Sequence, residues 1–234
     1  MLEGPGRSHS LSSEFLTSNL PFEMEPNKII VVTGSNRGLG QAIYRLLAQT
    51  PHKPPLMIYA TSRNAVSLDI TPLHDNIIHF EELDITSPSS IHILISKIAS
   101  PIDVLINNAA VTFHPETGYE DAVSTLSVNY LGTRTICEIF LTTGKMSSNP
   151  ICRIVNVSAL GSSQSGSFDP SICAQLTSPS LTLPSLDRLA SEYLESVKEV
   201  PRPSQAGTIS TQAIMFQNLS STLSPLFWQQ NMLL

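Results

Sequence analysis

Lys28-Ile-Ile-Val-Val-Thr-Gly-Ser-Asn-Arg-Gly-Leu-Gly40 is the stretch that decides the fold. After Lys28, the residues Ile29 to Thr33 form a continuous β-branched run, which is typical of a strand buried on both faces of a sheet. The glycine-rich loop that follows leads into a helical pattern from Gln41 to Gln49, with Ile43, Leu46 and Leu47 on one side. Glycines let a backbone turn sharply and approach a pyrophosphate at a helix N-terminus. Strand, loop and helix in this order predict a dinucleotide-binding unit.

Further strands and helices alternate after this unit. Four apolar runs predict strands and two stretches of helical spacing predict helices between them, namely strands at Leu56–Ala60, Asn76–Phe80, Val104–Ile106 and Arg153–Val157 and helices at Ser90–Ile98 and Tyr119–Leu141. Alternation at this spacing implies parallel β-α-β units with right-handed crossovers. The sequence therefore predicts an α/β fold with a doubly wound parallel sheet.

The pattern weakens toward the C-terminus. Residues Gly161 to Pro184 are rich in Ser and Pro, which favours a loop, and Leu186 to Val200 has helical spacing. We expect a flexible leader at residues 1–27, a cofactor-binding domain at residues 28–200 and a degenerate, poorly ordered tail at residues 201–234. The sheet is accordingly expected to be incomplete at its C-terminal end.

Composition excludes several functional classes. The formal net charge of −6 argues against nucleic acid as a partner. No apolar run reaches the length of about 18 residues that spans a bilayer, so no membrane association is expected. Three cysteines share no metal-ligand spacing with each other or with the six histidines, and no metal is expected. A reduced, cytoplasmic protein is the resulting prediction.

Polar side chains follow three of the predicted strands. Asp84 comes after the third strand, Asn107-Asn-Ala-Ala110 ends the fourth, and Asn156-Val-Ser158 ends the fifth. Open α/β sheets bind ligands at the carboxyl ends of their strands. We therefore expect these residues to border one site with the glycine loop.

These motifs together resemble the short-chain dehydrogenase/reductase family, and most of all its NADPH-dependent carbonyl reductase branch. The family's T-G-x-x-x-G-x-G loop is matched by Thr33, Gly34, Gly38 and Gly40, and its N-N-A-G motif by Asn107-Asn-Ala-Ala110. Two further stretches fit, Val128–Arg134 and Arg153–Ser158. The resemblance extends from Lys28 to Ser162 and implies a Rossmann fold that binds NADP(H).

Charge decides between the two nicotinamide cofactors. NAD-selective sites place Asp or Glu after the second strand, whereas Tyr59-Ala-Thr-Ser-Arg-Asn64 offers a cation there. Arg37 and Arg63 can bind a 2′-phosphate through charge-assisted hydrogen bonds, which predicts NADPH as the cofactor. The predicted cofactor-binding residues are Gly34, Ser35, Asn36, Arg37, Gly38, Leu39, Gly40, Arg63, Asp84, Asn108 and Ala109.

The resemblance implies a catalytic Ser, Tyr and Lys supported by a helix Asn. In that family the Tyr protonates the carbonyl oxygen, the Lys lowers the pKa of the phenol, and the Ser binds the developing oxyanion. Asn129 matches the helix Asn. The serine position holds Ala159, and Ser158 stands one residue early. Asn129 and Ser158 are the predicted catalytic residues.

The Tyr-Lys pair has no match in this sequence. After Ser158 the chain has one tyrosine and one lysine, Tyr193 and Lys198, which are five residues apart and not four. One extra residue turns a helical side chain by about 100°, which separates the two groups. A second register aligns Pro203–Ala213 with the family motif and places Gly207 and Thr211 at the Tyr and Lys positions.

Several hypotheses follow. The favoured one is an NADP(H)-binding, carbonyl-reductase-like protein with reduced or lost catalysis. A second is an active NADP-dependent oxidoreductase on small carbonyl compounds that uses Tyr193 or a water. A third is a regulatory module that senses the NADP redox state, and a fourth is a tail that reflects truncation or a misread coding sequence. The substrate stays open, as does the choice between a monomer and a homo-oligomer.

Overall fold

The structure is a computed structural model that describes residues 27–111, 118–144, 146–157, 170–176 and 178–198. Its five strands are β1 (Lys28–Thr33), β2 (Leu56–Ser62), β3 (Ile77–Glu82), β4 (Val104–Asn107) and β5 (Arg153–Asn156). Its helices are α1 (Gly38–Gln49), α2 (Pro88–Lys97), α3 (Tyr119–Thr125), a π-helical segment (Leu126–Gly132), α4 (Thr133–Thr142), a 3₁₀ turn (Met146–Ser148), α5 (Pro170–Leu176) and α6 (Leu183–Lys198).

The strands form one parallel sheet in the order β3-β2-β1-β4-β5. The chain runs outward from β1 to β3 and then crosses back to β4. Because neighbouring connections leave β1 in opposite directions, a crevice opens between the carboxyl ends of β1 and β4. The predicted doubly wound α/β fold is confirmed.

Two hydrophobic cores lie on opposite faces of the sheet. Side chains alternate along β1, so that Ile29 and Val31 face one core while Ile30 and Val32 face the other. The larger core is packed by α2, α3, α4, α5 and α6, and the smaller one by α1. We call the side of the smaller core the α1 face.

The helix predicted from Tyr119 to Leu141 is present but contains an irregularity. Helical backbone angles continue through both ends of the segment Leu126–Gly132, so α3, this segment and α4 form one continuous helix. Its middle is wound as a π-helix, a form that often occurs at functional sites. Apolar periodicity did not reveal this local winding.

The predicted loop from Gly161 to Pro184 is wrong in part. Residues Pro170–Leu176 form α5, and α6 begins at Leu183. A proline at the first helical position favours the start of α5, and Ile172 and Leu176 pack against the larger core, which stabilises this short helix. No described helix has the length and apolar character needed to cross a membrane.

Candidate cofactor site

A cleft of about 410 Å³ lies at the carboxyl ends of the strands, where the crevice opens. This volume falls within the range of about 300–1,000 Å³ that is usual for small-molecule sites. The cleft is lined by Gly34, Asn36, Arg37, Gly38, Ser62, Arg63, Asn64, Leu83, Asp84, Ile85, Thr86, Asn108, Ala109, Ala110, Val111 and Val128. Eight of the eleven predicted cofactor residues lie along it.

The loop between β1 and α1 needs its glycines for specific reasons. Gly34 has φ +64°, and a Cβ there would stand 2.7 Å from the Cα of Ala109. A Cβ on Gly40 would collide with the side chain of Asn108 and the carbonyl of Gly34. Gly38 also has a positive φ, +58°, but a Cβ there would meet nothing within 4 Å. Two of these glycines therefore permit close packing, and the third faces open space in the cleft.

Thr33 joins this loop to the end of β4. Its Oγ1 accepts hydrogen bonds from the backbone N–H groups of Asn108 and Ala109, each at 2.9 Å. The Asn108 side chain in turn donates to the carbonyl oxygens of Thr33 at 2.9 Å and Gly34 at 3.0 Å. Both sides of the crevice are thus held at a fixed separation.

The ends of β4 and β5 are joined by a second amide. Asn107 is buried, and its Nδ2 donates to Asn156 Oδ1 at 2.9 Å and to Cys137 Sγ at 3.2 Å. Burial raises the pKa of the Cys137 thiol to about 12, so this sulfur stays protonated. The motif residues Asn107 and Asn156 therefore stabilise the edge of the site.

Two of the remaining predicted cofactor residues point elsewhere. The Ser35 side chain is buried and its Oγ donates to the carbonyl oxygen of Thr61 at 3.0 Å. Leu39 is 57% exposed and does not line the cleft. Gly40 also lies outside the lining, since its position serves the contact with Asn108.

Charged groups of both signs border the cleft. Arg37 and Arg63 are exposed, and their side chains form no ion pair or hydrogen bond with residues that the structure describes. Asp84 follows β3 and its Oδ1 accepts from the backbone N–H and hydroxyl of Thr86, at 2.9 and 2.7 Å. The two guanidinium groups are therefore available to an anionic ligand. The carboxylate of Asp84 is oriented by its hydrogen bonds to Thr86.

Asn129 lies in the π-helical segment and contacts the chain after β4. Its Oδ1 accepts from the backbone N–H of Val111 at 2.9 Å, and its Nδ2 donates to the carbonyl oxygen of Val111 at 2.8 Å. Asn129 is buried, whereas its neighbour Val128 lines the cleft. The predicted catalytic Asn129 thus positions the cleft wall.

Tyr193 and Lys198 of α6 do not line the cleft, and the two side chains have different surroundings. Tyr193 is buried in the larger core, and this burial raises the pKa of its phenol to about 12. The Lys198 ammonium pairs with Glu195 at 2.6 Å and lies 5.1 Å from the centroid of the Tyr119 ring. Neither residue lines the cleft.

Polar contacts fix α6 against the long helix. Asp187 accepts a hydrogen bond from the Tyr130 hydroxyl at 2.8 Å and from Arg134 Nη1 at 2.9 and 3.1 Å. Burial, and then the hydrogen bond to Asp187, raise the pKa of the Tyr130 phenol. Arg134 also binds Glu138 at 2.8 Å. These contacts hold α6 beside the helix that carries Asn129.

Sequence reasoning missed several residues of the cleft wall, namely Ser62, Asn64, Leu83, Ile85, Thr86, Val111 and Val128. Most of them adjoin a predicted residue, so the strand ends could have indicated them. Val111 directly follows the Asn107–Ala110 motif, but its contact with Asn129 joins residues 18 positions apart and had no signal in the sequence. The predicted positions Ser158, Gly207 and Thr211, together with Ala159, lie outside the described residues. The same holds for residues 1–26 and for the predicted tail.

Comparison with known proteins agrees with this geometry. The family model described as short chain dehydrogenase matches residues 28–173, more than half of the chain. The chain therefore belongs to the short-chain dehydrogenase/reductase family of oxidoreductases.

Curated relatives of this chain include carbonyl reductases. Carbonyl reductase (NADPH) 1 of Sus scrofa is 30% identical over 179 residues, which cover 73% of this chain and 61% of that protein. The (+)-neomenthol dehydrogenase of Arabidopsis thaliana is 29% identical over 164 residues, covering 58% of this chain and 54% of that protein. The chain thus resembles carbonyl reductases but spans only 54–61% of the length of these two relatives.

Solved structures share the fold at lower identity. Menthone neomenthol reductase from Mentha piperita superposes with a TM-score of 0.67 at 19% identity and covers 85% of this chain and 84% of its own. Salutaridine reductase from Papaver somniferum gives a TM-score of 0.59 at 22% identity, covering 82% and 80%. These likenesses establish the architecture alone.

Proposed function

We propose that this chain binds NADPH in the cleft and that Arg37 and Arg63 hold its 2′-phosphate. The observation that carries the proposal is that both arginines line the same cleft, exposed and with no side-chain partner among the described residues. Ser62 and Asn64, which line the cleft on either side of Arg63, are uncharged. A 2′-phosphate would meet cations there and no carboxylate from the end of β2, which favours NADPH over NADH.

The glycine loop fits the rest of a dinucleotide. Gly34 and Gly40 bring the loop against β4 and α1 more closely than any residue with a Cβ could, and Gly38 leaves open space in front of the helix N-terminus. No side chain of the described residues caps α1, so the first N–H groups of this helix are available to a pyrophosphate. Asp84 and Asn108 would border the cofactor as predicted, with Ala109 at the end of β4. Bound NADPH supplies a hydride for transfer to a carbonyl carbon.

As part of the same proposal, the chain catalyses carbonyl reduction weakly or not at all. The tyrosine that the sequence offers after Ser158 is Tyr193, and its burial in the core supports a structural role. Lys198 lies at the surface with Glu195 and Tyr119, so it is not placed to lower the pKa of the Tyr193 phenol. Sequence adds that Ala159, Gly207 and Thr211 stand where the family has its acting groups. None of these three side chains supplies a general acid or its activating cation.

An assay of NADPH oxidation with a panel of aldehydes, ketones and quinones tests this part. We expect rates at or near the uncatalysed background, because a positioned proton donor contributes about 10²–10⁴-fold. Tyr193→Phe should leave those rates unchanged. Robust turnover by the parent chain that Tyr193→Phe abolishes would replace this proposal with an active carbonyl reductase.

A further inference from the structure

The α1 face of the sheet has a region that no helix of the described part of the chain covers. Every described helix other than α1 adds its buried side chains to the larger core on the opposite face. Helix α1 itself packs on β1 and β2. Among the described residues, the α1 face of β4 and β5 therefore has no helix above it.

Apolar side chains point into this region. Val104 and Ile106 of β4 extend toward the smaller core but are only partly buried. On β5, Ile154 packs against the larger core, so the alternation of side chains turns Val155 to the α1 face. Val155 pairs in register with Ile106 and is 46% exposed.

The flank of α1 extends the same surface. Arg45 donates to the carbonyl oxygen of Asp69 in the β2–β3 connection, which places the Arg45 flank toward β3. At 100° per residue, Leu39, Ile43 and Leu46 lie on the opposite flank of α1, which is the flank on the β4 side. Leu39 is 57% and Leu46 69% exposed. We call Leu39, Ile43, Leu46, Ile106 and Val155 the open apolar patch.

We propose that the C-terminal segment, residues 208–234, docks on the open apolar patch. Its composition matches the patch, because none of its 27 residues is charged and twelve are Ile, Leu, Met, Phe or Trp. Chains that stay unfolded are low in hydrophobic residues and high in charge, the opposite of this segment. The proposal departs from the expectation of a poorly ordered tail, which no described residue tests.

The path of the chain makes this contact reachable. Lys198, the last residue of α6, lies against Tyr119 at the start of α3, which follows β4. The chain therefore leaves α6 near the carboxyl edge of the sheet. Residues 199–207 span roughly 30 Å when extended, enough to round that edge and reach the α1 face. A second copy of the chain is the competing occupant.

Trp228 makes the test direct, since it is the one tryptophan of the chain and lies within the segment. In the full-length chain we expect blue-shifted emission and several-fold weaker acrylamide quenching than for free tryptophan, independent of protein concentration. Val155→Asp should shift the emission to that of free tryptophan, because a carboxylate cannot be buried unpaired. Ile93→Asp is the matched control, since Ile93 is 57% exposed on α2 across the sheet, and it should leave the emission unchanged.

Leu46→Asp is a second patch variant that leaves the strands unchanged. If Val155→Asp unfolds the domain, Leu46→Asp should still shift the Trp228 emission to that of free tryptophan. Emission of the parent chain equal to that of free tryptophan would overturn the proposal. So would a blue shift that survives both patch variants or that Ile93→Asp also removes. A blue shift that appears only as protein concentration rises, with a sedimenting dimer, would assign the patch to a second copy instead.

Discussion

The Asn129 side chain binds both backbone polar groups of Val111, accepting from its N–H at 2.9 Å and donating to its carbonyl at 2.8 Å. These two hydrogen bonds are of the kind that a neighbouring β-strand would form with the Val111 backbone, although Asn129 belongs to a helix. It fixes the chain that leaves β4 along the cleft wall. The π-helical winding of Leu126–Gly132 is the local feature that surrounds this amide.

Asn129→Ala should therefore lower both stability and cofactor affinity. Two partly buried backbone groups of Val111 lose their partner, which costs about 1–3 kcal/mol in the free energy of unfolding. The displaced cleft wall should also weaken NADPH binding. Chemical denaturation and titration calorimetry measure the two effects.

Asn149→Ala is the matched control for this prediction. Its amide donates to Asp103 Oδ1 at 2.8 Å near the opposite end of the sheet, so its loss should reduce stability and leave the affinity for NADPH unchanged. Equal losses of affinity in both variants would mean that the effect at Asn129 comes from general destabilisation.

Substitutions at Gly38 and Gly40 test two different roles of glycine in the loop: backbone conformation at Gly38 and close packing at Gly40. Gly38→Ala should fold, at a cost of about 1–2 kcal/mol for an alanine at φ +58°, but it should lose NADPH affinity because its methyl group enters the cleft. Gly40→Ala should fold poorly, because its methyl group collides with Asn108 and Gly34. Thermal unfolding and calorimetry distinguish them. A Gly38→Ala variant with parental affinity would show that the cofactor does not approach this loop.

Asp187 should stabilise α6 through Tyr130 and Arg134. Asp187→Asn keeps the size of the side chain but removes its charge, so we expect a loss of about 1–2 kcal/mol in the free energy of unfolding. Tyr130→Phe removes one of the two partners. In a double-mutant cycle the combined loss should be smaller than the sum of the single losses. Strict additivity would mean that the hydrogen bond between Tyr130 and Asp187 contributes nothing to stability.

Much of the fold could be predicted because the sheet is buried on both sides at its centre. The run Ile29–Val32 has no polar residue, and the glycine loop directly after it marks where the strand ends. Elements that depend on tertiary contact were less visible. The seven residues of α5 show no apolar periodicity. Helix α1 begins at Gly38, three residues before the predicted start, because the two glycines in its first turn are not typical of a helix.

The cleft was predictable to the extent that strand ends converge. Arg37, Arg63 and Asp84 follow three different strands and do line one cleft. The direction of a side chain was not predictable in the same way. Ser35 and Asn108 belong to the right motifs, yet their side chains bind the protein's own carbonyl groups. The role of Asn129 depends on a contact across 18 residues that no local pattern records.

Recognition of the 2′-phosphate is the central claim, and calorimetric titration with NADPH and NADH tests it most directly. We expect the parent chain to bind NADPH more tightly, and Arg63→Glu to remove most of that preference, since hydrogen bonds to charged groups contribute about 1.5–3 kcal/mol each. Arg153→Glu makes the same charge change on an exposed arginine at the amino end of β5 and should preserve the preference. Equal affinity of the parent chain for NADPH and NADH, or an unchanged preference in Arg63→Glu, would contradict the account.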